Sequence, residues 1–198
     1  LHDINMVIKK NSKIAIIGES GSGKSTLADL IIGLYRPING CVTIDGVPIG
    51  DNNMQSWRSK IGYIPQQVYL FDGTVSENVV FGRKFNYDHL VEVLKKANIY
   101  NYLVNKNGIN TMVGEGGSQL SGGQMQRIAI ARALYGSPEI IVLDEATSAL
   151  DENIEEKIMN EIYQISKDKT LIIIAHRLNT IKGCDIIYKI KDGGVYVT

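Results

Sequence analysis

The strongest constraint on the fold is what surrounds Gly18-Glu19-Ser20-Gly21-Ser22-Gly23-Lys24-Ser25-Thr26. The apolar run 14–17 enters this segment, and Leu27, Leu30, Ile31 and Leu34 leave it at helical spacing. Pro37 and Gly40 stop that helix. A strand, a glycine-rich loop and a helix in this order predict an α/β chain built outward from the loop.

The rest of the pattern extends that unit. Residues 4–8 read as a strand joined to 14–17 by the polar turn Lys9-Lys10-Asn11-Ser12. Residues 41–44 and 47–49 flank Asp45-Gly46, a two-residue hairpin signal, so this part is expected to be antiparallel. Residues 61–64 form a strand ended by Pro65. From about 74 to 130 the character changes to a helical insert, with Tyr87, Leu90, Val91 and Leu94 on one stripe. A helix from Gly123 to about Tyr135 precedes the apolar run 139–143, as expected of a parallel strand buried on both faces. Asp151 is positioned to cap a helix carrying Ile154, Ile158, Ile162 and Ile165 on one face. Residues 170–175 are the next buried strand, and 186–190 with 195–197 close as a hairpin around Asp192-Gly193-Gly194. The expected fold is one α/β domain over 1–198, with a mixed sheet, an antiparallel β subdomain and a helical insert.

Composition removes several functions. With 198 residues and 44% hydrophobic content, the chain can bury a core without disulfide or metal staples. Lys+Arg and Asp+Glu are 21 each, so no net charge favours a nucleic-acid backbone and no nucleic-acid partner is expected. Cys41 and Cys184 lack metal-ligand spacing and are expected to be buried structural thiols in a reducing compartment. No apolar run approaches the roughly 18 residues needed to span a bilayer, so any membrane role is expected to come through a partner.

Three stretches carry chemistry. Gly18-x4-Gly23-Lys24-Ser25 fits the phosphate-binding loop pattern, in which backbone N–H groups of 18–26 and a helix N-terminus surround phosphate oxygens. In it Gly18, Ser20, Gly21, Ser22, Gly23 and Thr26 would line the phosphates, Lys24 would neutralise β and γ charge, and Ser25 would offer a hydroxyl to Mg2+. Asp144 ends an apolar strand, where a carboxylate suits a metal, and Glu145 beside it suits activation of an attacking water. The other reading of this pair is a helix-capping acidic dipeptide. Ser121-Gly122-Gly123-Gln124 opens a helix whose free N–H groups suit an anion, although Ser-Gly-Gly is also an ordinary helix start.

Together, 18–26, Leu120-Ser121-Gly122-Gly123-Gln124 and 140–145 resemble the nucleotide-binding domain of ATP-binding cassette (ABC) transporters, over nearly the whole chain. The resemblance implies a P-loop NTPase core with ATP and Mg2+. It implies that Gln66 is the Q-loop glutamine that touches the metal and the water, that Ser148-Ala149-Leu150-Asp151 is the D-loop, and that His176 is the switch histidine on the γ-phosphate. His2 and His89 have no such counterpart and are expected at the surface. The family also implies a second nucleotide-binding domain facing the first head to tail, with Ser121 and Gly123 serving the partner's nucleotide.

The stretches 71–79 and 113–117 resemble export-type members, and Cys184-Asp185-Ile186-Ile187-Tyr188 is similar to flippases for lipid-linked oligosaccharides. The resemblance implies a transmembrane domain, fused in a longer chain, and a place on the cytoplasmic face of the (inner) cell membrane. The family's adenine-stacking aromatic would lie upstream of Leu1. Stacking on a base contributes ~1 to 3 kcal/mol in single-strand binders, so the segment as it stands is expected to bind ATP weakly and with little purine preference. Two other functions fit the same motifs less well: a soluble cassette ATPase acting on nucleic acid or ribosomes, and a regulatory module that binds nucleotide without turnover.

Overall fold

A computed structural model describes residues 1–146, 151–175 and 177–198, with backbone alone for 178 and 179. The chain begins with β1 (Lys13–Gly18) and α1 (Lys24–Ile31), followed by the ribbon β2 (Thr43–Ile44) and β3 (Val47–Pro48), α2 (Met54–Ser59) and β4 (Ile61–Ile64). Helices α3 (Val75–Val80), α4 (Tyr87–Lys96), α5 (Tyr100–Val104) and α6 (Gly122–Tyr135) separate β4 from β5 (Ile140–Asp144). Then come α7 (Glu152–Ile165), β6 (Thr170–Ile174), β7 (Ile186–Lys191) and β8 (Gly194–Val197).

The main sheet has the order β4-β5-β6-β1-β7-β8 and is parallel except where β8 pairs antiparallel with β7. Consecutive residues of β1 therefore face opposite layers. Ile14 and Ile16 pack with Leu27 and Ala28 of α1, while Ala15 belongs to the layer holding Ile128 of α6 and Ile158 and Ile162 of α7. With both faces covered, the central strands are nearly all apolar, and Thr170–Ile174 is buried throughout. The parallel strands end together at Gly18, Ile64, Asp144 and Ile174, which gathers the loops that follow them on one edge.

Several expectations need correction. Residues 4–8 form no strand: Ile4, Met6 and Ile8 pack against the β1 layer in alternation, but without a ladder, and the Tyr188 hydroxyl donates to the Val7 carbonyl at 2.7 Å. Alternating apolarity thus reports a half-covered extended segment, and a strand needs a paired neighbour as well. Helix α1 ends at Ile31, short of Pro37, because Gly33 turns the backbone left-handed at φ 76°. The ribbon is limited to two residues a side, with Asp45 and Gly46 both at positive φ as the primed turn demands. Cys41 is exposed and Cys184 half-buried, so neither is the fully buried thiol expected. The His89 ring is tucked against Tyr135, centroids 4.9 Å apart, with Nε2 3.1 Å from the Tyr135 carbonyl.

Helices α3 and α6 are joined through Asn78, which is fully buried. Its Nδ2 donates to the carbonyls of Phe71 and Thr74, and its Oδ1 accepts from the Phe71 N–H and from Arg132 Nη2. Arg132 also donates to the carbonyls of Asn78 and Tyr69, and its guanidinium lies 4.8 Å from the centre of the Phe81 ring. Removing one member of a saturated buried network strands the others. Asn78→Ala is therefore expected to destabilise the domain by about 3 kcal/mol, read as a lower urea midpoint at unchanged slope. A midpoint equal to the parent's would show that the network contributes nothing.

Candidate functional site

The phosphate-loop segment closes over the end of β1. Gly21 and Gly23 are left-handed, φ 76° and 102°, and Gly23 supplies the N-cap position of α1. A Cβ on Gly18 would lie 2.8 Å from the Ile190 carbonyl oxygen and 2.6 Å from Ser22 Oγ, so the loop's entry tolerates only glycine. Lys24 is buried, and its ammonium turns back to donate to the carbonyls of Gly18 and Glu19 at 3.0 and 2.9 Å. Those bonds hold Nζ inside the curl of the loop. Ser22 Oγ is buried and, among the described residues, makes no hydrogen bond. A buried hydroxyl with free donor capacity, beside the unpaired first-turn N–H groups of α1 and an ammonium, fits an oxyanion.

The acidic strand arrives two positions along the sheet. Asp144 is 8% exposed; its Oδ1 is 3.5 Å from Ser25 Oγ and its Oδ2 accepts from the Tyr63 hydroxyl at 3.0 Å. Burial raises the Asp144 carboxyl above the usual aspartate range and the charges of Glu145 and Asp29 add to this, while the Tyr63 and Ser25 hydroxyls oppose it. Burial, and then the Asp144 charge, push the Tyr63 phenol well above its ordinary value, so it remains a donor. Glu145 is a non-glycine residue in the left-handed region at φ 48°, with its N–H bonded to the Ile174 carbonyl at 3.0 Å. That turn aims its carboxylate back over the strand ends. Gln66 Nε2 donates to Glu145 Oε2 at 2.8 Å, and Lys24 Nζ is 3.9 Å from Oε1.

These contacts bring Lys24, Ser25, Gln66, Asp144 and Glu145 into one cluster drawn from β1–α1, the β4 end and the β5 end. Among the described residues, no group of three or more His, Cys, Asp or Glu is arranged to hold a metal alone. Ser25 and Asp144 are hard oxygen donors of the kind Mg2+ takes in ones and twos beside phosphate oxygens, so the donor set fits that ion in company with a nucleotide.

The signature stretch is elsewhere. Ser121 caps α6 with a reciprocal box: its Oγ accepts from the Gln124 N–H at 3.3 Å and its N–H donates to Gln124 Oε1 at 2.9 Å. Ser121 and Gly122 are exposed. Among the described residues, no hydrogen bond or ion pair joins 120–124 to 18–26 or to Asp144. Asp151 caps α7, accepting from the Ile154 N–H at 3.0 Å. Residues 147–150, which include Ser148, Ala149 and Leu150 of the D-loop, and His176 lie outside the described residues. Sequence reading missed Tyr63, whose signal was a hydroxyl-bearing ring in the strand that pairs with the one ending in Asp144.

A strand, left-handed glycine loop and helix with a buried lysine, beside an acid-tipped parallel strand, define the P-loop nucleotide-binding class. Comparison with known proteins narrows this. The family model described as ABC transporter matches residues 1–148. The chain is 44% identical over 197 residues to ATP-binding cassette sub-family B member 5 of Mus musculus, covering 98% of this chain and 16% of the mouse protein. It is 42% identical over 197 residues to the uncharacterized ABC transporter ATP-binding protein YwjA of Bacillus subtilis, covering 98% of this chain and 34% of YwjA. Among solved structures, a bacterial Atm1-family ABC exporter with ATP bound superposes with a TM-score of 0.89 at 38% identity, over 98% of this chain and 34% of the exporter chain. The chain belongs to the ABC transporter family and has the fold of its ATP-binding domain. It spans about a third or less of the length of these relatives.

Proposed function

We propose that this domain binds and hydrolyses ATP between two copies of the nucleotide-binding unit, and that the cycle of closing and opening drives export through a transmembrane domain. The observation that carries the reading is the convergence of Lys24, Ser25, Gln66, Asp144 and Glu145 at the strand ends. Lys24 and the loop N–H groups hold the β- and γ-phosphates, an electrostatic clamp formed before reaction. Ser25, Asp144 and Gln66 are the residues that would hold Mg2+, which would supply charge neutralisation on the phosphates.

Glu145 takes the proton of the attacking water. The Gln66 amide keeps its carboxylate oriented, and the Tyr63 and Ser25 hydroxyls donate to the neighbouring Asp144 carboxylate. His176 is assigned to the γ-phosphate by the family resemblance, and Asp151 to the partner-facing end of α7. Ser121, Gly122, Gly123 and Gln124 are exposed or half-exposed at a helix start and separate from their own phosphate loop, which suits them to close the partner's site. Two helix N-termini then face one nucleotide from opposite sides, and water is displaced.

The relatives named above include an exporter, which supports a membrane-associated role at the cytoplasmic face. Among the described residues, no helix is long and apolar enough to cross a membrane, and in this reading a transmembrane domain would carry the transport path. The test is the ATPase rate per chain against chain concentration. A rate that climbs and then saturates supports the paired site, and a constant rate contradicts it.

A further inference from the structure

Glu155 places a carboxylate inside the protein next to the nucleotide site. It lies in the first turn of α7 and is 5% exposed, and Arg177 Nη1 donates to its Oε2 at 2.6 Å. A glutamate is rarely buried unless a specific partner holds it. This pair connects two segments that border the site: α7 follows directly on Asp151, and Arg177 follows His176 in sequence. A cavity of about 50 Å3 adjoins the pair, and its walls include Glu145, Ala146, Glu155, Met159 and Arg177. The wall that carries the proposed base is therefore the wall the ion pair holds.

The chain beyond Arg177 is tied to the same anchor. The Thr180 N–H and Oγ1 both donate to the Arg177 carbonyl, at 3.3 and 2.6 Å. Further along α7, the Tyr163 hydroxyl donates to the Thr180 carbonyl at 2.8 Å. Among the described residues these ties differ in place: Glu155 lines the cavity together with Glu145, whereas Tyr163 is not one of its walls and meets it only through Thr180. Glu155 is buried and Arg177 is 43% exposed, so the contact joins an interior carboxylate to a solvent-facing guanidinium, and its charged, directional geometry fixes one register between the elements.

We propose that the Glu155–Arg177 ion pair is a positioning element for hydrolysis, clamping the first turn of α7 to the chain leaving β6 and so setting the wall beside Glu145. It acts through the base. The inference rests on the ATPase reading above. Misplacing a reacting group by a fraction of an ångström lowers turnover while leaving phosphate binding, which depends on Lys24 and the loop, as it was.

The test uses the full-length protein and compares Glu155→Gln, Arg177→Met, the double variant and Tyr163→Phe by kcat and KM for ATP. Glu155→Gln is the primary variant, since Arg177→Met keeps a buried carboxylate and removes its guanidinium, at greater cost in stability. Glu155→Gln is expected to lower kcat by about ten- to a hundredfold with KM within about twofold, and the double variant to be no worse than the poorer single. Tyr163→Phe is expected to lose stability and keep kcat near the parental value. A parental kcat in Glu155→Gln, an equal kcat loss in Tyr163→Phe, or a double variant that multiplies the two single losses would each overturn the proposal. Amide exchange separates its failure from that of the enzyme reading. Faster exchange at 144–146 in Glu155→Gln but not in Tyr163→Phe supports the clamp whether or not ATP is hydrolysed, and unchanged exchange there overturns it. A parent that binds ATP and never hydrolyses it overturns the ATPase reading alone.

Discussion

Glu145→Gln is expected to reduce ATP hydrolysis by about 10²- to 10⁴-fold while ATP still binds. The substitution is nearly isosteric and keeps an oxygen to accept from Gln66 Nε2, now at 2.8 Å. It also leaves the left-handed turn at φ 48° with a side chain of the same length, so the strand end is not reshaped. What disappears is the carboxylate that takes the proton. Because Lys24 Nζ, 3.9 Å away, loses a neighbouring negative charge, phosphate binding should be equal to or tighter than the parent's. Single-turnover hydrolysis measured beside equilibrium nucleotide binding checks both halves; a variant that turns over at the parental rate removes Glu145 from the chemistry.

Lys24→Met should fail in the opposite way, at binding. The buried ammonium is held by the Gly18 and Glu19 carbonyls, so its charge is already placed and no search is needed when phosphate arrives. Losing charge-assisted contacts to the β- and γ-oxygens is expected to weaken ATP by about 2 kcal/mol, about thirtyfold in Kd. Methionine fills the same volume with an apolar stem, so the fold should persist, with some strain where the two carbonyls lose their donor. Calorimetric titration with ATP reads the affinity, and thermal unfolding without nucleotide reads the fold. Parental affinity in Lys24→Met would mean that the loop N–H groups alone hold the phosphates. The two variants together separate holding the nucleotide from cleaving it.

What could be read from sequence was local. The phosphate loop, the α6 start and the α7 cap each occupy a few consecutive residues whose conformations are dictated nearby, and all three have the expected geometry. The capping box of α3 is equally local, since Thr74-x-x-Glu77 is a box pattern within four residues. Contacts between distant positions were not legible. Tyr63 reaches Asp144 only because β4 and β5 pair in one register, and Arg177 reaches Glu155 only because β6 returns beside α7. The same physics explains the error at 4–8: alternation is a property of the segment, whereas a ladder is a property of its neighbour. Ser121 shows both sides, because its sequence predicts a helix start and the structure gives one: its N–H donates and its Oγ accepts in the cap, while the hydroxyl hydrogen is not used by that box.

The central claim is that one chain holds half of each site and a second chain completes it. The most direct measurement is the solution mass of the Glu145→Gln domain with and without ATP, at concentrations around its ATP affinity. Single chains are expected without nucleotide and a stable pair with it, dissolved by Ser121→Ala/Gly123→Asp in the same background. A nucleotide-saturated protein that keeps the mass of one chain, from a parent that hydrolyses ATP rapidly, would contradict it.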